Sequence, residues 1–507
     1  MSIPDEETTS DLPGAVTILQ DRLVFCSFPE GDERRDDPHR VYLCSDSSLV
    51  YEQFFADFGP LNIACVIRFT RQLAALLHAP EHEGKLIVYF SSEHPHRRTN
   101  AAFLILCFSI IQLKRNVLEA YAPFMGIDFT PFRDAAFSIN TFPLTLLAAV
   151  RGLARAISLG HFEPSTFDVE EYLRLEKIEN GDVSWIVPGN FLAFSGPLAQ
   201  RREVEAGVHT LDADDYAHLF HTLGVTAVVR FNKKQYDRRK FTDAGINHYD
   251  LFYEDGGNPS EEIMQQFIKL CESEKGAVAV HCKAGLGRTG TNIAAYMMKH
   301  WGYTATEATA WLRICRPGSV VGPQQQFVQN AQMWLWKEGD AMRAALRATR
   351  QLGSTDHTSP MPSPRNSPRS PFSASSDDSI DTILEVFGSF RGTSSSSFDS
   401  SVSHDTKGAA AVPSSSSGAP YASRNRSPIR IRKTNSRRQL VALASEPRDT
   451  DRAITWGWGV SSSSQLRRTS REQNQLEAGE EAMSVRGTLA GARFEPTSTS
   501  KGEPGDL

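Results

Sequence analysis

Up to about residue 345, apolar residues recur along this chain with two different periods. Short β-branched and aromatic runs predict buried strands: ACVIRF at Ala64–Phe69, LIVYF at Leu86–Phe90, TAVVRF at Thr226–Phe231 and AVAVH at Ala277–His281. Two longer runs, AAFLILCFSIIQL at Ala101–Leu113 and TNIAAYMMKHW at Thr291–Trp301, predict helices. The first is too short to span a bilayer and reads as a buried core helix. Past that point serine, proline and arginine dominate, as in SPMPSPRNSPRSP and VPSSSSGAP. Such segments bury too little apolar surface to offset the entropy of ordering, so a disordered tail is expected. One apolar island, Ile380–Phe387, reads as a docking or export element or as a transient helix.

The order strand, polar loop, helix occurs twice. LIVYF leads through SSEHPHRRTN into the first long helix; AVAVH leads through CKAGLGRTG into the second. Aligning Arg98-Thr99 with Arg288-Thr289 puts Ser92 where Cys282 stands. ACVIRF and TAVVRF match upstream. The pattern implies an internal duplication whose first copy has lost a nucleophile. Between the copies, FEPSTFDVEEYLRLEKIENGD carries an acidic helical stretch and a turn signal at Asn180-Gly181, reading as a linker helix.

Cys282 opens the loop HCKAGLGRTG, His281–Gly290. A loop between a buried strand and a helix start presents unpaired N–H groups and the positive end of a helix dipole. Gly285 and Gly287 let the chain curl so that the amides of Lys283, Ala284, Gly285, Leu286, Gly287 and Arg288 form a nest for phosphate oxygens. Arg288 adds a bidentate fork. In that field a thiol is acidified, and its thiolate is a nucleophile toward phosphorus. Thr289 is placed to donate a hydrogen bond to the sulfur. The chemistry calls for no cofactor, and no cluster suggests a metal.

A leaving alkoxide needs an acid, and later a water needs a base. DLFYEDGGNP at Asp250–Pro259 offers three carboxylates. Asp255 leads because Gly256, Gly257 and Pro259 follow it in a loop able to hinge; Asp250 and Glu254 are the alternatives. Downstream, RICRPGSVVGPQQQF at Arg313–Phe327 holds a second polar loop, whose Gln324, Gln325 or Gln326 would orient the hydrolytic water.

Composition narrows the setting. The chain has 507 residues and a net charge of −6, which asks for neither nucleic acid nor an anionic membrane as partner. Its seven cysteines are odd in number and irregularly spaced, as expected of reduced thiols in the cytosol or nucleus. The acidic start, MSIPDEETTSDLPG, does not read as a signal peptide.

Taken together, HCKAGLGRTG, the loop with Asp255 and RPGSVVGPQQQF resemble the cell-division-cycle-fourteen family of dual-specificity phosphatases. FRDA at Phe132–Ala135, FDVEEY at Phe167–Tyr172, ENGD at Glu179–Asp182 and FTDAG at Phe241–Gly245 add to the likeness. The resemblance implies an α/β chain with two tandem dual-specificity-phosphatase-like domains joined by a linker helix, followed by the tail. The expected divisions are a disordered start over 1–14, a non-catalytic domain over 15–160, a linker helix over 161–190, a catalytic domain over 191–340 and the tail over 341–507. It implies Cys282 as nucleophile, Arg288 as phosphate ligand and Asp255 as general acid. The implied substrates are phosphoproteins carrying Ser-Pro sites followed by a basic residue, in cell-cycle control. Glu176 and Asp182 match two acids of the groove that reads this residue; Leu173 stands where a third acid is usual. From the polar loop itself, Gln326 is also expected to contact substrate.

Ser359, Ser363, Ser367, Ser370 and Ser427 each precede proline, and Ser427 has Arg430 beyond it. Intramolecular binding of a phosphorylated tail is therefore an expectation. The basic cluster Arg424–Arg438 suits nuclear import, and the resemblance implies nucleus and cytoplasm, with nucleolus or spindle pole as specific sites. Two rival functions remain. A phosphoinositide phosphatase shares HCKAG but usually has a second lysine where this chain has Leu286. A phosphoprotein-binding scaffold would require Cys282, Arg288 or Asp255 to be disabled.

Overall fold

The computed structural model describes residue 12 and residues 14–53, 56–136 and 142–352. The expected tail disorder, Ile380–Phe387, the five Ser-Pro pairs and Arg424–Arg438 lie outside the described residues, as do residues 1–11.

The first half contains strands β1 (Val16–Leu19), β2 (Leu23–Phe28), β3 (Arg40–Cys44) and β4 (Leu86–Ser92). Its helices are α1 (Ile63–His78), α2 (Pro95–Ile111), α3 (Val117–Tyr121) and α4 (Leu146–Ser158), and α5 (Val169–Leu175) links it to the second half. There the order is β5 (Val183–Val187), β6 (Phe191–Phe194), β7 (Glu203–Glu205), β8 (Val208–His209), α6 (Ala213–Thr222), β9 (Val225–Arg230), α7 (Arg239–Thr242), β10 (Asn247–Asp250), α8 (Glu261–Ser273) and β11 (Ala277–His281). Helices α9 (Gly287–Trp301), α10 (Ala305–Cys315) and α11 (Pro323–Leu352) complete it.

The two sheets repeat one plan. The first has strand order β1-β2-β4-β3, the second β10-β9-β11-β6-β5. Each begins with an antiparallel edge pair, β1-β2 or β5-β6, and continues parallel through β4 or β11. β4 is thus the counterpart of β11, and β3 the counterpart of β9.

That plan corrects one expected strand. ACVIRF is the first part of α1, not the partner of TAVVRF, which is β9. Asn62 caps α1 by accepting the Cys65 N–H at 3.0 Å, and Ile63, Val66, Ile67, Thr70 and Leu73 are buried at helical spacing. A window of six letters rich in β-branched residues is too short to reveal that period. The helix after β4 also starts earlier than the apolar run suggested, at Pro95, which suits a first-turn position because it lacks an N–H.

Two expected boundaries shift as well. The span 161–190 holds a short helix, α5, capped by Asp168, but also β5, which belongs to the second sheet. Helix α11 continues past 340 to Leu352.

The halves share one continuous apolar core. Helix α4 lies against α10, and Gly152 permits the approach: a Cβ there would stand 2.7 Å from the Ala310 Cβ and 2.8 Å from the Glu307 carbonyl oxygen. Trp311 is 1% exposed, and its indole N–H donates to the Ile186 oxygen at 2.9 Å. Tyr172 of the linker donates to the Cys315 oxygen, also at 2.9 Å. The buried Trp311 indole and Tyr172 hydroxyl thus both keep hydrogen-bond partners.

Candidate active site

β11 is central in its sheet and buried along its whole length. Chain leaving it must turn into α9, and each carbonyl of that turn is held from outside. Cys282 O accepts from His281 Nδ1 at 3.0 Å, and Lys283 O from the Gly196 amide at 3.0 Å. Ala284 O and Gly285 O accept from Arg316 at 3.1 and 3.0 Å. A peptide unit is planar, with its N–H opposed to its C=O. The amides of Lys283, Ala284, Gly285 and Leu286 therefore face the concave side, an anion nest at a helix N-terminus. Gly285 has φ +66°, and a Cβ there would lie 2.0 Å from the Phe194 oxygen; the turn requires glycine.

Arg316 organises this cradle. It is 0% exposed, and besides the two loop carbonyls its NH1 and NH2 reach the Asp182 carboxylate at 3.0 and 3.1 Å and Ser184 Oγ at 3.1 Å. Asp182, expected in a substrate groove, is instead turned inward as the counter-charge of this brace. Its ENGD turn, with Gly181 at φ +108° and Asp182 at φ +46°, aims the carboxylate at the core. Glu176 caps the end of α5 and is 6% exposed; burial pushes the thiol of Cys65 on α1 up, and the nearby Glu176 charge adds to that.

A buried polar chain lies behind Cys282. His281 Nδ1 donates to Cys282 O, so its Nε2 accepts from the Tyr236 hydroxyl at 2.7 Å. That hydroxyl in turn accepts from His248 Nε2 at 2.8 Å. Burial lowers His281 to about 3 and His248 to about 4, so both rings are neutral.

Cys282 is 3% exposed at the floor of the nest. Arg288 is equally buried; its NH1 donates to the Tyr253 oxygen at 2.8 Å, and its NH2 meets Asp255 Oδ1 at 2.9 Å. Its Nε is buried with no hydrogen-bond partner, an orphaned donor that an oxyanion would satisfy. Of the three candidate acids, Asp255 is at the mouth of the cradle. Asp250 is committed to a 2.6 Å ion pair with buried Arg230, and Glu254 is exposed.

Three expectations change here. Thr289 Oγ1 is buried without a hydrogen-bond partner, so the expected bond to the sulfur is not formed; the carbonyl one turn back, on Gly285, is taken by Arg316. Gln326 is exposed and bonded to Asn330 along its own helix at 2.9 Å. Gln325 is buried and accepts from Arg313 at 2.8 Å. The glutamine at the site is Gln324: its Oε1 accepts from the Val321 amide at 3.2 Å, its Nε2 donates to the Gly257 oxygen at 3.0 Å, and a Cβ on Gly287 would lie 2.6 Å from its Oε1. It touches both the acid loop and the start of α9. The helical period of α11 decides among the three, turning Gln326 outward. Arg316, Tyr236, His248 and Asp134 are site-supporting residues that sequence reasoning left unassigned; a buried arginine in a Pro-Gly turn was the available signal for Arg316.

Among the described residues the first half shows no such cradle. Helix α2 starts at Pro95, three residues past Ser92, whereas α9 starts five past Cys282. Arg98, aligned with Arg288, donates to the Asp128 oxygen at 2.8 Å and lies over the Phe129 ring. Among the described residues no group of His, Cys, Asp and Glu is arranged to hold a metal ion, and no helix is long and apolar enough to cross a membrane.

The site and the paired sheets define the class. Residues 17–156 match the family described as dual specificity protein phosphatase, N-terminal half, and residues 206–337 match the dual specificity phosphatase catalytic domain. Dual specificity protein phosphatase CDC14A of Homo sapiens is 45% identical over 342 residues, 67% of this chain and 57% of that protein. CDC14C of Homo sapiens is 43% identical over 331 residues, 65% of this chain and 73% of that protein. Tyrosine-protein phosphatase cdc-14 of Caenorhabditis elegans is 40% identical over 331 residues, 63% of this chain and 46% of that protein. The chain therefore belongs to the CDC14 family of dual-specificity phosphatases. It spans 57% of the length of the human CDC14A relative.

Proposed function

We propose that this chain hydrolyses phosphate monoesters on serine, threonine and tyrosine side chains of proteins through a phosphocysteine intermediate. One observation carries the reading: four successive amides turned inward over buried Cys282, with Arg288 and Asp255 closing the mouth. The phosphate oxygens sit on the nest and the Arg288 fork. The Cys282 thiolate attacks phosphorus; the bond to the substrate oxygen breaks, and Asp255 gives that oxygen its proton. Water then attacks phosphorus, oriented by Gln324, with its proton passing to the Asp255 carboxylate. The sulfur–phosphorus bond breaks, and thiolate and inorganic phosphate are restored. The nest and Arg288 stabilise the equatorial oxygens in both steps.

Family membership supports a finer reading: preference for phosphoserine before proline with a basic residue beyond, in cell-cycle control. With Asp182 bound to Arg316, Glu176 is the remaining matched acid for that basic residue. The same membership and the basic cluster Arg424–Arg438 support nuclear and cytoplasmic residence with nucleolar or spindle-pole enrichment, and Ser427-Pro428 supports docking of the phosphorylated tail on the enzyme's own site.

The test is phosphate release from matched peptides, pSer-Pro-x-Arg and pSer-Ala-x-Ala, by wild type and Cys282→Ser under reductant. The expected result is faster release from the first peptide, abolished in the variant. Equal rates discard the preference. Release from a phosphoinositide alone transfers the enzyme to lipids, and no turnover of any substrate leaves a scaffold.

A further inference from the structure

Gln324 does its work from a turn that cannot hold itself. Val320, a β-branched residue, sits at φ +59°, and Gly322 at φ +59° follows it. A non-glycine residue in that region is strained and persists where its surroundings over-determine it. Here the surroundings come from two directions. From the second half, Arg313 donates to the Ser319 oxygen at 3.0 Å and the Val320 oxygen at 2.9 Å. From the first half, Asp134 Oδ2 accepts the Gly322 amide at 2.6 Å, across a sequence separation of 188 residues. Asp134 is 4% exposed, so this charge-assisted bond is shielded from water. Asp134 and Asp57, both in the first half, are also the carboxylates whose charge offsets the burial of Arg313.

The bond lies one step from the chemistry. Gly322 is flanked by Val321, whose amide fixes Gln324 Oε1, and the same side chain spans Gly257 of the acid loop and Gly287 of the cradle. We propose that Asp134 of the catalytically silent first half is a positioning residue for the second chemical step, holding the Gly322 turn so that Gln324 orients the water that hydrolyses phosphocysteine. The inference rests on the phosphatase reading above. The first step depends on Cys282, Arg288 and Asp255, none of which Asp134 touches. Loss of the bond therefore slows hydrolysis of the intermediate and leaves its formation intact.

Rapid-quench kinetics on the full chain with p-nitrophenyl phosphate separate the two steps: nitrophenol release reports formation, steady-state turnover reports hydrolysis. Asp134→Ala is expected to keep the first-phase rate, to lower steady turnover about tenfold, and to accumulate phosphorylated Cys282 detectable by mass in the quenched protein. Asp134→Asn keeps an oxygen acceptor and restores most of the turnover. Asp134→Ser replaces the alanine variant if that variant does not fold. Equal slowing of both phases, unchanged kinetics, or an asparagine variant as impaired as alanine each overturns the proposal while the phosphatase reading stands. Absence of Cys282-dependent turnover in wild type removes both.

Discussion

Arg288 NH2 and Asp255 Oδ1 meet at 2.9 Å across the mouth of the cradle. The proposed general acid thus rests on the guanidinium edge proposed to bind phosphate, and Asp255 is half exposed while Arg288 is buried. In the proposed mechanism, a phosphate dianion competing for Arg288 frees the carboxylate to face the leaving oxygen. Asp255→Asn is expected to lower kcat by about 10²-fold on a phosphoserine peptide. It should have little effect on p-nitrophenyl phosphate, whose leaving group departs without a proton. Parallel assays with the two substrates check this; an equal loss on both denies Asp255 its role as acid.

Gly287 and Gly285 separate two kinds of damage. A Cβ on Gly287 meets the Gln324 side-chain oxygen at 2.6 Å, a flexible end that can retreat. Gly287→Ala is expected to fold and to lose kcat about tenfold through misplaced Gln324. A Cβ on Gly285 meets the backbone oxygen of Phe194 at 2.0 Å at a φ that disfavours side chains. Gly285→Ala should abolish both turnover and binding of vanadate, an oxyanion ligand for the nest. Calorimetry with vanadate distinguishes the two.

Arg316 and Asp182 form a buried pair, 0% and 7% exposed, whose partners include the cradle carbonyls. Removing one charge leaves the other stranded, at a cost of about 3–5 kcal/mol. Urea unfolding of Asp182→Ala should register that loss, with phosphatase activity falling in the folded fraction too. An Asp182→Ala protein of native stability, altered only in its preference for basic peptides, would return Asp182 to the substrate groove.

His248 and His281 set a dependence on acid. Burial holds them near 4 and 3 in the folded protein, below the ordinary 6.5 that they regain on unfolding. Above pH 6.5 both states are neutral and the two rings contribute nothing to the slope. As pH falls from 6.5 toward about 4, the unfolded chain takes up protons that the native protein refuses, so stability declines. Each ring contributes about 1.4 kcal/mol per pH unit. Replacing His248 with Gln, whose amide can still donate to Tyr236, should flatten the slope by one ring's share. Urea midpoints at pH 6.5 and 5 measure it.

The cradle was legible because its chemistry is contiguous. Strand, glycines, cysteine, arginine and helix follow one another, so local rules place them all. Asp255 leads among three carboxylates by its glycines; that Asp250 is occupied by Arg230 is a pairing between adjacent parallel strands that no local pattern shows. ACVIRF misled because six letters do not cover two helical turns. Asp182 was carried over from a family pattern that names residue types but not the direction in which a turn aims them, and Gln326 was one of three adjacent glutamines that only the period of α11 separates. Asp134 was visible only as part of a motif, since its partner Gly322 lies in the other half of the chain.

The seam between the halves has a consequence for how this chain can change over time. Gly152 admits α10 only because it has no side chain, and Trp311 is sealed against the Ile186 backbone. A half without chemistry would ordinarily be free to diverge everywhere. On the proposed roles its outer faces can drift, while its inner face answers to the second half: substitutions at Gly152 would disturb the packing of α10, and those at Asp134 the Gly322 turn. The inner face of the first half is tied in this way to the chemistry proposed for the second.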